Sequence, residues 1–395
     1  MTSPPALPAP GERPRLLIVT MGIDYVAPAR MPRELRSAGF DVTLLAARDA
    51  LATHTRHLDR VAHFPERATL FEWIHALAGV VRAVRPQLLL PGDDVTVGVL
   101  AQLALDPPPM LRGMIRTELA DLIVRSLGDP ARFDTAVDKT RLMPVARAAG
   151  VRVPEGGEVD DEDSAVALAD SLGYPVIVRP ACGSGGAGVA RCTDATTVRA
   201  AIRALPAATG WAPPSRMRAL VQRFVAGKGM NRPALAWAGR EIAAFTRTAL
   251  ERHPAELGAG SVTRYVEQPE IAAMNRTLLA ALGATGFVST QYLIEDATGL
   301  PYLIESNRRM TPATPTGRWA GVDLAAALAA VAAGRAWDGP ADLPAGTGRT
   351  LALFPQEWLR DPGSRHLREL PTDVPWDDPG LIRAMLALGR AGRGR

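Results

Sequence analysis

GFVSTQYLIEDATGLPYLIESNRR, residues 286–309, reads as two short strands folded about a turn. The first run, Val288 to Ile294, is rich in β-forming residues and alternates loosely. Glu295 to Leu300 carries Asp, Thr and Gly, the residues of tight turns. The second run, Tyr302 to Asn307, ends in polar residues. Side chains alternate between the faces of a strand, so Glu305 and Asn307 share one. A closed hairpin sets Gln291 opposite residues 304 and 305, within cross-strand reach of Glu305. One carboxylate and two amide oxygens then converge. Such a set suits Mg2+, a hard ion that keeps waters and shares phosphate oxygens. The competing reading is a hairpin that turns a polar face to water, and the rest of the chain bears on the choice.

With 395 residues the chain has room for two or three domains with proper cores. Its 47% hydrophobic and 22% charged residues are those of a soluble globular protein. A formal charge of +4 is small for this length and argues against a dedicated nucleic-acid binder. Lys139 and Lys228 are the only lysines. A coding bias toward arginine explains this, so one Arg says little and a retained Lys says more. Cys182 and Cys192 make no disulfide framework and fit a reducing, cytoplasmic setting. The six histidines lack zinc-ligand spacing. No apolar run reaches membrane-spanning length, since Leu324 to Ala333 is too short. Met1 to Pro14 lacks the regions of a signal peptide and is expected to be a disordered tail, as is Arg390 to Arg395.

From Arg15 onward, strand and helix alternate. Leu16–Thr20, Asp41–Ala46, Val61–Phe64 and Gln87–Leu90 read as strands, and Ala29–Ala38 and Thr69–Val84 as helices. This predicts an open parallel sheet with helices on both faces over residues 15–114. Ligands of such sheets bind at the carboxyl ends of strands, where Met21-Gly22 and Gly92-Asp93-Asp94 stand. Plain turn residues are an equal reading. Gly22 lacks a GxGxxG context, so no dinucleotide site is expected.

Asp138 is placed to cap a helix from Lys139 to Ala149, stopped by Gly150. Asp163 or Ser164 is expected to cap a second helix ending at Gly173. A strand, Val176 to Arg179, runs into a glycine-rich turn, Gly183 to Gly188, and returns. Such glycines let backbone N–H groups approach phosphate oxygens, and Arg179 adds a fixed cation. No GK[ST] follows, so this is not a Walker loop. Leu220–Val225, Leu235–Trp237 and Glu241–Thr248 read as strands, and Glu270–Gly283 as a helix leading into the hairpin. Residues Leu351 to Leu388 add helices and a closing strand, with Trp358, Trp376, Asp377 and Asp378 expected to pack or cap.

In this order the stretches resemble the ATP-grasp superfamily of carboxylate–amine ligases. The resemblance rests on Asp138-Lys139 with residues 150–154, on residues 173–188, on Leu220 to Gly227, and on Gly286 to Arg309. It implies an ATP-grasp domain over about 115–335, with a nucleotide lobe near 138–225 and a metal and catalytic part near 226–335. A Rossmann-like domain would precede it, and residues 336–395 would complete it. The fold class expected is thus α/β, with α+β character in the two-lobed ATP-grasp part. Arg179, where most relatives have Lys, and the set Gln291, Glu305 and Asn307 are similar to the carbamoyl-phosphate synthetase branch. The chain is far too short to be such a synthetase itself.

The resemblance implies roles position by position. Lys139 and Arg179 would contact the nucleotide phosphates. Gly183, Ser184, Gly185, Gly186 and Gly188 would form the flap over them. Gln222, Arg223, Phe224 and Val225 would supply the backbone hinge that meets adenine. Gln291, Glu305 and Asn307 would hold Mg2+, or Mn2+ in its place, with Glu305 bridging. Arg309 closes a Glu-x-Asn-Pro-Arg pattern and would stabilise an acyl phosphate. Two departures stand out. The acidic residue that usually holds the ribose is missing, with Asn231 the nearest polar substitute, and Arg308 replaces the proline. The implied activity is ATP-dependent joining of a small carboxylate to an amine, giving ADP and phosphate. Phosphorylation of a simple acid such as bicarbonate, or nucleotide binding without catalysis, are the alternatives. No nucleic-acid or membrane partner is expected, and a homodimer is compatible with the sequence.

Overall fold

The computed structural model describes residues 13–107, 117–183, 186, 188–205, 218–255, 258–346 and 348–392. Four parallel strands, β1 (Arg15–Val19), β2 (Asp41–Ala46), β3 (Arg60–His63) and β4 (Leu88–Pro91), form a sheet in the order β3-β2-β1-β4. Alternation along β1 explains its two covered faces. Leu16 and Ile18 pack with α1 (Val26–Ser37), whereas Leu17 and Val19 pack with α2 (Leu70–Val84), α3 (Asp94–Leu105) and α4 (Thr117–Leu127). Helices therefore lie on both faces, as expected. Thr69 and Glu72 close a capping box at the start of α2.

Helix α5 (Lys139–Ala148) starts at Asp138, whose carboxylate accepts from Thr140 N at 2.8 Å. A second sheet follows, of β5 (Gly156–Val159), β6 (Val176–Pro180), β7 (Ala190–Cys192) and β8 (Ala219–Arg223), in the order β5-β8-β6-β7. It rests on α6 (Glu162–Leu172) and α7 (Ala195–Arg203) through Val176, Val178, Val221, Ala165, Ala169, Val198 and Ile202. The cap of α6 is Asp161, not Asp163 or Ser164. Ser164 sits three residues in and returns a bond to the Asp161 backbone, so it belongs to the cap's far side.

The third sheet has seven strands: β9 (Gly227–Trp237), β10 (Arg240–Ala244), β11 (Arg247–His253), β12 (Ala259–Tyr265), β13 (Gly286–Glu295), β14 (Pro301–Asn307) and β15 (Thr350–Ala352). Its order is β14-β13-β9-β11-β12-β15, with β10 on β9. One face covers α5 and α8 (Pro269–Leu282); the other meets α9 (Leu324–Ala332) and, through α1, the first domain. Helices α10 (Gln356–Arg360), α11 (His366–Glu369) and α12 (Pro379–Gly392) close the chain. Among the described residues no helix is long and apolar enough to cross a membrane.

Two strand readings change, and one strand was not read. The expected strand Leu235–Trp237 is only the end of β9, because tertiary pairing overrides the poor strand propensity of Gly227, Gly229 and Pro233. Pro233 falls in the gap where β9 switches partner, from β11 at Met230 and Asn231 to β10 at Ala234 onward. Glu241–Thr248 splits into β10 and β11, and β12 carries no clear alternation in sequence. Trp376 does not pack; it is 75% exposed.

Gly128 joins α4 to the entry of β13. Its φ is +99°, and a Cβ there would stand 2.1 Å from the Gly283 carbonyl oxygen. Around it Asp129 N donates to Gly283 O at 3.0 Å and Thr285 N to Leu127 O at 3.1 Å. Gly128→Ala is expected to cost about 2–4 kcal/mol, combining backbone strain with a backbone clash. Thermal or urea unfolding reads it, and a wild-type midpoint would show that the junction yields freely.

Candidate functional site

The hairpin has the register that alternation predicts. Ser289 pairs with Asn307 and Gln291 with Glu305, and the bulge comes only after Gln291. Glu305 and Asn307 therefore share a face, and the Gln291 Nε2 donates to Glu305 Oε2 at 2.8 Å. The two ends of a Gln amide are nearly equal in shape, so a half-turn presents its oxygen instead. Asn307 is buried, and its Oδ1 accepts from Arg309 Nη2 at 3.3 Å. The set holds one full negative charge, and no group of three or more His, Cys, Asp or Glu among the described residues forms a metal site. Carboxylate and amide oxygens on one face fit a hard ion that completes its shell with water and phosphate, such as Mg2+.

Lys139 ties three parts together. Its Nζ donates to the Gly183 carbonyl at 2.5 Å and stands 3.5 Å from the Glu305 carboxylate. The first turn of α5, the entry of the glycine loop and the hairpin thus meet at one ammonium. Gly183, Gly186 and Gly188 all have positive φ, which glycine alone adopts freely. Ser184 and Gly185 lie outside the described residues.

Arg179 has partners the sequence did not suggest. It is buried on β6, where Nη1 donates to the Ile304 carbonyl at 2.8 Å and Nη2 to Gln222 Oε1 at 2.7 Å. Burial lowers its pKa to about 10, with Glu305 opposing the shift. It is a strap from the second sheet to the hairpin, with only Nε lacking a partner. Gln222 lies inside β8 between β5 and β6, and Arg223 N donates to Glu155 O at 2.8 Å. Their backbones are committed to the sheet and its edge. Phe224 follows with N donating to Pro175 O at 3.2 Å and Arg191 4.4 Å over its ring; Val225 is buried beyond it. Asn231, the polar residue nearest the missing ribose carboxylate in sequence, has its amide engaged by Ser289, Thr290 O and Arg247.

The first domain contributes what the sequence left open. Asp93 caps α3 and accepts from Thr20 Oγ1, Met21 N and Gly22 N at 2.8, 2.7 and 3.0 Å, so it braces the loop after β1. Its neighbour Asp94 grips Arg309 with two bonds of 2.7 Å, and the Tyr25 ring lies 5.3 Å from that guanidinium. The acid at the carboxyl end of β4 was visible as a motif, but its partner 215 residues away was not. Arg308, in place of proline, is buried and donates to the carbonyls of Arg132 and Leu127, the latter closing α4. A cation at a helix carboxyl end is favourable there.

Residues 138–230 match the family model of the carbamoyl-phosphate synthase L chain, ATP binding domain. The chain is 26% identical to the carbamoyl phosphate synthase large chain of Kocuria rhizophila over 255 residues, 60% of this chain and 21% of that protein. It thus spans about a fifth of that relative's length. Biotin carboxylase from Campylobacter jejuni superposes with a TM-score of 0.62 at 17% identity, covering 83% of this chain and 72% of that one. The biotin carboxylase domain of Hydrogenobacter thermophilus 2-oxoglutarate carboxylase, solved with MgADP and bicarbonate, gives 0.63 at 18% identity over 83% and 71%. Residues 138–230 are thus similar to an ATP-binding domain of the carbamoyl-phosphate synthase type, and the chain shares the fold of the biotin carboxylase structures.

Proposed function

We propose that this protein is an ATP- and Mg2+-dependent ligase that activates a small carboxylate as an acyl phosphate and joins it to an amine. The observation that carries this reading is Lys139, bound to Gly183 O at 2.5 Å and standing 3.5 Å from Glu305. That one ammonium brings a phosphate-type glycine loop and a metal-type hairpin into the same place.

A carboxylate is a poor electrophile, because its charge repels nucleophiles. Transfer of the γ-phosphoryl group to one of its oxygens breaks the bond to ADP and forms an acyl phosphate. The amine nitrogen then attacks the acyl carbon, loses a proton, and phosphate leaves. Positioning and charge neutralisation carry most of such catalysis. Lys139 would lie against the phosphates, with the loop 183–188 closing over them to keep water out. Val225 and the Phe224 carbonyl would form the hinge facing the base, and Arg179 would hold the two sheets in register. Gln291, Glu305 and Asn307 would hold Mg2+, which when bound supplies positive charge to the transferring group. Arg309, oriented by Asp94, would stabilise the charge that builds on the acyl phosphate. The full extent of the ATP-grasp unit, about 115–335, follows the same reading.

Incubation with ATP, Mg2+ and a pool of carboxylates and amines is expected to yield ADP and phosphate. With hydroxylamine added, the acyl phosphate is expected to be trapped as a hydroxamate. AMP and pyrophosphate as products would exclude the mechanism. MgATP binding without nucleotide consumption from any pool would favour a non-catalytic module.

A further inference from the structure

Arg247 sits on the same sheet face as the proposed metal set, in line with it. The register pairs Arg247 with Asn231, Asn231 with Gln291, and Gln291 with Glu305, across β11, β9, β13 and β14. Cross-strand partners project from one face, with neighbouring strands about 4.8 Å apart. The Arg247 Nε donates to Asn231 Oδ1 at 3.3 Å, so the guanidinium leans back over β9. The strand beyond β9 is β13, which carries Gln291, about 4.8 Å away from backbone to backbone.

Its terminal Nη1 is buried and has no hydrogen-bond partner. Arg247 also makes no ion pair among the described residues. The groups around it are already engaged. Asp373 is held by Arg30 at 2.8 Å and by Phe354 N at 2.6 Å, and the Tyr265 hydroxyl donates to Thr316 O at 2.9 Å. Asn231 is fixed by Ser289 Oγ at 2.8 Å and Thr290 O at 3.2 Å, which turns its oxygen toward Arg247. Burial pulls the Arg247 pKa down, Tyr265 and Asp373 oppose this, and Arg252 adds to it. Arg247 as a whole is only partly covered, but a guanidinium kept for stability would pair the nitrogen it buries, since an unmatched buried donor is costly. Arg179 and Arg308 show the contrast, for both engage their terminal nitrogens and leave only Nε unmatched.

We propose that Arg247 anchors a carboxylate carried by the amine substrate, so that this substrate is an amino acid rather than a simple amine. The proposal rests on the ligase reading of the neighbouring site. The activated carboxylate has to meet the transferring phosphoryl group at Glu305 and Arg309, so an anion over Asn231 is a second one. In an α-amino acid the amine and the carboxyl carbon are separated by a single carbon. Anchoring that carboxylate at Arg247 leaves the amine facing the Gln291–Glu305 row, where the acyl carbon would lie.

The test is calorimetric titration of the full chain with MgADP present. The probes are each protein α-amino acid, the corresponding amino-acid amides, and the dicarboxylates succinate and glutarate. At least one amino acid is expected to bind, with its amide weaker by roughly thirtyfold or more, as for loss of a buried charge-assisted contact. Arg247→Met is expected to weaken that amino acid by a similar factor while MgADP affinity holds. Its melting temperature is expected to be equal to or above the wild type, because a buried nitrogen without a partner is removed. No amino acid preferred over its amide, unaltered binding in Arg247→Met, or a clearly lowered melting temperature would each overturn the proposal. Dicarboxylates binding through Arg247 in place of amino acids would overturn it too, assigning the anion to the activated acid. The ligase reading fails separately, if the wild type gives no ADP or hydroxamate from any carboxylate.

Discussion

Glu305→Gln is expected to lower kcat by about a thousandfold, equivalent to about 4 kcal/mol of transition-state stabilisation. Glu305 carries the only full negative charge in the proposed metal set, and it also faces Lys139 at 3.5 Å and Gln291 at 2.8 Å. Gln keeps the shape and removes the charge, so Mg2+ loses its strongest oxygen. The fold should persist, because the Glu305 side chain remains 18% exposed and its ammonium partner 12%. A melting temperature within a few degrees of wild type, with ADP release near background, is the expected pair of results. Turnover within tenfold of wild type would move the metal site elsewhere.

Arg309→Ala is expected to reduce both activity and stability. Arg309 is buried and makes two 2.7 Å bonds to Asp94 on the first domain. Removing one partner of a buried, hydrogen-bonded pair costs about 2–5 kcal/mol, since the other charge is left unmatched. Loss of the cation beside the developing acyl phosphate is expected to cost on the order of a hundredfold to a thousandfold in kcat. A double-mutant cycle with Asp94→Ala separates the two effects. The double variant should regain much of the stability, because no unmatched carboxylate remains, and none of the turnover. Recovered turnover there would mean that Arg309 serves only to hold the domains together.

These expectations draw on two kinds of information. Alternation with period two is local, so the hairpin's shared face, and the pairing of Gln291 with Glu305, could be read from residues 286–309 alone. Caps are local as well. Asp138 before α5 stands where a helix's unpaired N–H groups require an acceptor. The parallel sheet was legible because apolar strands and amphipathic helices alternate along the chain, which leaves few other ways to bury both.

Other features had no local signature. No strand was read at Gly227, where β9 begins, yet a Cβ there would stand 2.1 Å from the Ile294 carbonyl oxygen. Its glycine marks close backbone approach by a neighbouring strand, not a turn. Arg179 was read as a phosphate contact because it precedes a glycine loop, and nothing in the sequence showed that it also donates to the hairpin carbonyl of Ile304. In a chain that writes nearly all its cations as Arg, sequence gives no means of ranking them. Packing ranks them: Arg308 closes a helix, Arg309 takes an acid from the first domain, and Arg247 keeps one buried nitrogen free. The sequence by itself determined the first sheet's strands, the Asp138 cap and the hairpin register, because these depend on neighbours a few residues apart. Only the tertiary structure decided which charge meets which, because such pairs join residues as far apart as Asp94 and Arg309.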